Sequence, residues 1–471
     1  MKTLNRQNVP QLTERPVKVL QFGEGNFLRG FVDWIIDTLN EKTDFNGDVQ
    51  LVQPIPNGMG ELINKQDGLY HVQLSGIQKG EAKEETKLIT CVRGVVNPYA
   101  DYEAYLKLAK NPDLRFIISN TTEAGISYNP EDDQLNRIAS SFPGKLTALL
   151  YKRFDTFNGD LSKGFHIIPC ELIDKNGDKL KEIIIQYATL WQLPKGFINW
   201  INEANTFSNT LVDRIVPGFP KESIKEIQED IGYEDNLVVK AEPFHLWVIE
   251  GPDAVRAEFP AEEAGLDVKF VKDQSPYRTR KVRILNGAHT SLVPVAYLHG
   301  LRTVRESVED PVIGKFLNDT IQKEIIPTLD LPKEELEQFA NDVMDRFKNP
   351  FVKHLLSSIA LNSISKFKVR VLPSLLEYVN RTGELPQNLV RSLAALIVFY
   401  KGSYNGEATP VNDDEEIVNF FKSVWEHEDL NQIATEVLKN VPLWDMDLTT
   451  VKGLDLAVSE NLGALVDKEK V

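Results

Sequence analysis

Val17-Lys-Val-Leu-Gln-Phe-Gly-Glu-Gly-Asn-Phe-Leu-Arg29 is the stretch on which the reading of the fold turns. The apolar run Val17–Phe22 has the composition of a short buried strand and stops at Gly23-Glu24-Gly25. From Asn26 to Asn40 the residues Phe27, Leu28, Phe31, Val32, Ile35, Ile36 and Leu39 recur at the spacing of one helical face. Strand, glycine turn and helix in that order open a dinucleotide-binding fold. The glycines let the backbone come close to a pyrophosphate, whose charge is held by free N–H groups and the positive end of the helix. Gly23, Gly25, Asn26 and Phe27 are therefore candidate cofactor contacts, and Arg29, one turn in, a further side-chain donor. The third glycine of the usual G-x-G-x-x-G pattern is replaced by Leu28, and a glycine turn between any strand and helix would look alike, so the motif needs support from its surroundings.

That support lies downstream. Val49–Gln53 reads as a second strand and Leu114–Asn120 as a later one, ending in the small polar turn Ser119-Asn-Thr-Thr-Glu-Ala-Gly125, and both alternate with helical stretches as a parallel sheet requires. Ser119, Asn120 and Thr121 join the candidate cofactor contacts. The end of the second strand carries Gln53 and Pro54 instead of the acid that would bind the adenosine ribose, and no Arg stands there either, so NAD and NADP are not separated by these residues. After about residue 275 the periodicity is helical, in Leu285–Val304, Val312–Ile326 and Leu389–Tyr400. The expected architecture is an α/β Rossmann-type domain over 1–275 and a mainly helical domain over 276–471, with the Pro- and charge-rich stretch Gly251–Pro276 as the connection.

Composition narrows the function. The chain has 471 residues, 53 Lys and Arg against 69 Asp and Glu, and a formal charge of −16, which opposes binding to a phosphate backbone or an anionic membrane. Cys91 and Cys170 stand far apart, so neither a disulfide framework nor a zinc ribbon is expected. Met1–Pro16 lacks the apolar core of a signal peptide, and the apolar run Leu393–Tyr400 is too short to span a bilayer. The expectation is a soluble cytoplasmic protein with a small-molecule substrate, and the oligomeric state stays open.

The chemistry concentrates in Lys281-Val-Arg-Ile-Leu-Asn286-Gly-Ala-His289. At ~100° per residue Asn286 lies roughly 140° and His289 roughly 80° around a helix from Lys281, so the three share one broad face. At ~1.5 Å per residue the backbones of Lys281 and His289 are about 12 Å apart, a gap that suits a small molecule. A buried lysine among Arg278, Arg280 and Arg283 is a candidate general base, because desolvation and like charge disfavour the ammonium form. Asn286 offers an N–H to a developing alkoxide. The same residues also suit a solvated helix start, a cap and a core histidine. Tyr277 and Lys281 form a Tyr-x-x-x-Lys pair of the short-chain dehydrogenase kind, discounted because it lies at the start of the helical half. Between Arg346 and Arg370 stand Lys348, Lys353, Lys366 and Lys368 and no acid, which fits either a carboxylate-bearing substrate or a cationic surface.

Taken together, these segments resemble the polyol-specific long-chain dehydrogenases, the mannitol dehydrogenase family. Gly23-Glu-Gly-Asn-Phe-Leu-Arg29 is similar to its G-x-G-x-F-x-R cofactor motif, Val212-Asp-Arg-Ile215 with Pro217 to its signature, and Lys281, Asn286 and His289 to its K-x-x-x-x-N-x-x-H pattern. The resemblance covers nearly the whole length. Ser119–Ile126, Pro169–Asp174 and Asn286–His289 are most similar to members acting on hexuronates. The resemblance implies a metal-independent, NAD-linked interconversion of D-tagaturonate and D-altronate. In it Lys281 is the acid/base, Asn286 stabilises the alkoxide and His289 holds substrate hydroxyls. Fructuronate reduction, mannitol oxidation and a non-catalytic NAD(H) sensor are the alternatives. Two positions depart from the sugar-alcohol members: Leu172 replaces a second Asn, and Arg278 replaces a Glu three residues before the lysine, a change that favours an acidic sugar. Arg278, Arg346, His354 and Lys366 are the candidate substrate contacts. Whether Glu123, His245 and Trp247 line the pocket stays open.

Overall fold

The computed structural model describes residues 1–122 and 124–469. The chain divides into two compact units, Met1–Ser75 with Lys83–Gln274, and Gly76–Ala82 with Ser275–Val471.

The first unit is built on six parallel strands: β1 (Val17–Phe22), β2 (Asp48–Val52), β3 (Val92–Val96), β4 (Phe116–Ser119), β5 (His166–Pro169) and β6 (Thr206–Phe207), in the spatial order β3-β2-β1-β4-β5-β6. Alternate residues feed opposite faces. Val19, Leu51 and Ile118 join the core beneath Phe31 and Ile35, whereas Leu20, Ile117 and Ile167 join the core with Leu146 and Ile184. The strand order reverses between β1 and β4, where Phe22 lies opposite Ser119, and the crevice beyond the carboxyl ends of these strands is the ligand position of such a sheet. A short parallel pairing of Lys2–Thr3 with Tyr233–Glu234 and two three-stranded sheets accompany the six-stranded one. Val239–Ala241, Tyr70–Gln78 and Glu81–Ile89 form one, and Asn209–Asp213, Leu246–Glu250 and Val268–Val271 the other.

The stretch Gly251–Pro276 is not a linker. It holds a helix (Asp253–Glu258) and the strand Val268–Val271, and it buries Val255, Phe259, Ala261 and Val268 in the first unit's core. Its prolines and charges belong to the outer side of a covering layer. The hairpin tip Gly76–Ala82 groups with the helical unit, where the Gly80 N–H donates to Asp345 Oδ2 at 2.9 Å.

Among the described residues the second unit is helical apart from that hairpin tip and the short ribbon of Ser403–Tyr404 and Glu407–Ala408. Its most buried helices, Gly287–Leu298 and Gln387–Phe399, pack together, with Ser392 Oγ donating to the Ser291 carbonyl at 2.8 Å. Buried Glu324 caps Gln387–Phe399, accepting the N–H groups of Asn388 and Leu389. Among the described residues no helix is long and apolar enough to cross a membrane.

Candidate functional site

The first unit's site begins where β1 ends. Gly23 has φ +123°, and a Cβ there would stand 2.9 Å from Leu28 Cδ1 and 3.0 Å from the Asn120 carbonyl oxygen, so only glycine fits between the two turns. Its N–H donates to the Val52 carbonyl, and Asn120 donates to the Phe22 carbonyl, which carries the sheet pairing one residue beyond the strands. Gly25 is the opposite case. It is exposed, nothing lies within 4 Å of its Cβ position, and it precedes the helix Asn26–Gly30 without a side-chain cap. The helix start at the strand-order reversal thus has no side-chain cap and no atom crowding Gly25, the arrangement that suits a pyrophosphate.

Arg29 does not face that space. Its guanidinium is 1% exposed and donates to the Glu24 carbonyl at 3.0 Å, the Leu237 carbonyl at 2.7 Å and Asn26 Oδ1 at 2.8 Å, so it shapes the turn from beneath instead of donating outward. Asn26 is held by the same bond and lies against Gly218, and Phe27 stacks on Phe31 at 5.1 Å. Arg214 of the signature segment is a second buried brace. It donates to the Gly30 and Glu242 carbonyls and covers the Trp34 ring at 4.2 Å, with burial pushing its pKa down to about 9. Gln53 is buried and turns inward, its Nε2 donating to the carbonyls of Ile55 and Pro56 and its Oε1 accepting from Gly60. Glu24 reaches across from the glycine turn, its Oε1 accepting the Met59 N–H at 3.1 Å.

The β4 turn is organised by Glu171. This buried carboxylate accepts from Ser119 Oγ, Thr121 N and Thr121 Oγ1, each at 3.0 Å; burial pushes its pKa up, and those bonds oppose the rise. Ser119 and Thr121 therefore turn their hydroxyls inward and leave the turn backbone to line the crevice. Glu123 lies outside the described residues. Trp247 is a core residue, packed against Phe31 and Phe259, whereas His245 is half-buried, edge-on to Trp34, with its Nε2 accepting the Asp267 N–H at 3.1 Å; burial beside Arg214 pushes the His245 pKa down to about 3.

In the second unit the helix Ser275–Arg280 runs into a π-helical turn, Lys281–Asn286, before the α-helix Gly287–Leu298. This corrects the α-helical geometry expected from the sequence. In a π turn the bonded residues are five apart, so Lys281 and Asn286 come onto the same side instead of standing ~140° apart, and the K-x-x-x-x-N spacing matches the turn's hydrogen-bond span. Gly287 permits the close packing that accompanies the turn, since a Cβ there would stand 3.0 Å from the Arg370 carbonyl oxygen. Lys281 and Asn286 are half-buried, and the Asn286 side chain does not cap the helix that follows it.

His289 stacks on Phe347 at 4.1 Å and meets His354 edge-on at 5.0 Å. Its Nε2 is buried with no hydrogen-bond partner among the described residues. Burial, with positive charge from His354, Arg346 and Arg370, holds its pKa well below the usual histidine range, so the ring is neutral near pH 7. The structure thus brings His289, His354 and Arg346 together with Arg370, the far end of the cationic run, and adds Phe347, which the sequence reading does not place at the site. Lys366 is drawn aside, donating to the Ile359 carbonyl at 2.8 Å. Lys368 pairs with Asp445, and Lys348 and Lys353 are exposed. Arg278 is half-buried on Ser275–Arg280, where Arg280 lies over the rings of Tyr277 and Phe339.

Two family models match the chain, the mannitol dehydrogenase Rossmann domain over residues 17–263 and the mannitol dehydrogenase C-terminal domain over residues 273–466. Similar proteins include the altronate oxidoreductase of Bacteroides thetaiotaomicron, 50% identical over 99% of this chain and 98% of the relative. Those of Bacillus subtilis (52% over 96% and 94%) and Escherichia coli (48% over 99% and 98%) are similar to the same degree. Among solved structures, a substrate-free D-sorbitol dehydrogenase shares the fold at a TM-score of 0.82 and 22% identity, with 99% of each chain covered. The mannitol 2-dehydrogenase of Pseudomonas fluorescens with NAD and D-mannitol does so at 0.65 and 20%, covering 100% of this chain and 98% of that one.

Proposed function

The chain belongs to the mannitol dehydrogenase family, and from that premise we propose that it is an NAD-linked oxidoreductase interconverting D-altronate and D-tagaturonate. The observation that carries this reading is that half its residues, over nearly its whole length, are shared with altronate oxidoreductases. The glycine turn fits the cofactor: Gly25 stands open where a Cβ would obstruct, and the uncapped helix start offers N–H groups to a pyrophosphate.

When bound, NADH supplies the hydride for the ketone carbon. Lys281 delivers the proton from Nζ to the ketone oxygen, and in the oxidising direction it takes that proton back from the hydroxyl. Asn286 donates its amide N–H to the same oxygen as negative charge builds there. The neutral His289 offers its unpartnered Nε2 to a substrate hydroxyl, and a ring that stays uncharged adds no further cation beside the lysine. Arg346 and Arg370 supply the positive field that a substrate carboxylate needs, with His354 at its edge and Arg278 a further candidate contact.

The test is NADH oxidation by the purified protein with D-tagaturonate, D-fructuronate and D-fructose in parallel, repeated with NADPH. Highest kcat/KM with tagaturonate and NADH is expected. Preference for another sugar overturns the substrate assignment, and nucleotide binding without turnover on any of the three overturns the enzymatic reading.

A further inference from the structure

The place where a dinucleotide fold usually carries its ribose-binding acid, the end of β2, holds Gln53, and both polar ends of that side chain are engaged by the loop that follows it. A carboxylate reaches this place from another element. Glu24, between the two glycines of the β1 turn, crosses to the loop after β2. Its Oε1 accepts the Met59 N–H at 3.1 Å, and a Cβ on Gly58 would collide with that oxygen while standing 2.7 Å from Gln53 Cδ. Phe22 pairs with Val52, and Gly23 donates to the Val52 carbonyl at 3.0 Å, so the residue after Gly23 is delivered to the end of β2 by the sheet register itself. No Lys or Arg occurs between Gln53 and Asn64, so the loop offers no cation to receive an extra phosphate.

We propose that Glu24 is the specificity residue for the nucleotide, accepting the adenosine ribose hydroxyl and repelling a 2′-phosphate, a task performed from the glycine turn and not from β2. This inference rests on the dinucleotide reading given above. Glu24 is 6% exposed, and burial pushes its pKa up, while the Met59 N–H acts in the opposite direction. A carboxylate in such a site feels a neighbouring dianion more strongly than one in open water.

The experiment is fluorescence titration of NADH and NADPH, without sugar, on the wild type and on Glu24→Gln. The glutamine keeps an oxygen for the Met59 N–H and loses only the charge. Wild type should prefer NADH, and the substitution should shift the NADPH/NADH affinity ratio toward NADPH by about tenfold or more, as expected for removing one like charge beside a phosphate. An unchanged ratio in a variant that melts like the wild type would reduce Glu24 to a brace and overturn the proposal. Should the glutamine variant fold poorly, Glu24→Ser removes charge and bulk together and must move the ratio in the same direction. Because no sugar is present, a wrong substrate assignment leaves this result standing, whereas wild type that binds neither nucleotide overturns both readings.

Discussion

Substituting the two turn glycines by alanine, one at a time, separates folding from cofactor binding. Gly23→Ala places a methyl 2.9 Å from Leu28 Cδ1 and 3.0 Å from a backbone oxygen of Asn120, at φ +123°. Leu28 is 1% exposed and has no room to swing aside. Backbone strain of this kind costs on the order of 1–3 kcal/mol, and the collision with a fixed carbonyl adds to it, for a total of about 3 kcal/mol. In a unit of this size that lowers Tm by about 6–12 °C. Gly25→Ala meets no atom within 4 Å and keeps an ordinary φ of −68°, so stability should hold or rise by about 0.4–1 kcal/mol through the unfolded chain. Its methyl nevertheless stands where the pyrophosphate must approach, and NADH affinity should fall about tenfold or more. Thermal or urea denaturation reads the first effect and NADH fluorescence titration the second. Gly25→Ala that binds NADH like the wild type, or Gly23→Ala that melts like it, would refute the account of the turn.

Three further outcomes are expected. Lys281→Ala should lower kcat by about a hundredfold or more while NADH affinity stays within about twofold, because a general acid contributes at that scale and the lysine touches no nucleotide in this reading; near-normal turnover would sink the acid/base assignment. Asp33, sealed under the glycine turn, accepts the Tyr70 hydroxyl at 2.9 Å, and burial pushes its pKa from 3.8 to about 7. The native carboxyl keeps a proton that the unfolded one has lost above about pH 4, so stability falls as pH rises from there to about 7, by up to about 4 kcal/mol. Asp33→Asn should therefore stabilise the protein more at pH 8 than at pH 5 in urea denaturation, and an equal effect at both would show that the group does not titrate there. Arg370→Gln should raise KM for tagaturonate about tenfold and spare NADH binding, and an unchanged KM would remove Arg370 from the carboxylate site.

How much of this was legible in advance follows from the range of the interactions involved. β1, the glycine turn and the amphipathic helix stretch after it are local patterns, set by side-chain period and by the conformational freedom of glycine, and a linear reading recovers them. So does the order Lys281, Asn286, His289. The stretch Gly251–Pro276 was misread as a connection because its charges outnumber the few apolar residues that anchor it, and only the sheet to which Val268–Val271 adds shows where those residues go. Arg29 looked like an outward donor because one helical turn in sequence does not say which way a guanidinium points. A carbonyl 208 residues away, that of Leu237, turns it inward. The π turn was invisible for the same reason: a helix shifts its hydrogen bonds by one residue when neighbouring packing demands it, and here the Arg370 carbonyl sits against Gly287. Sequence alone thus determined which chemical groups the protein owns and the local elements that carry them. Tertiary structure decided their direction, their charge state and their company, because buried polar groups must be satisfied by whatever distant backbone and charge the fold delivers.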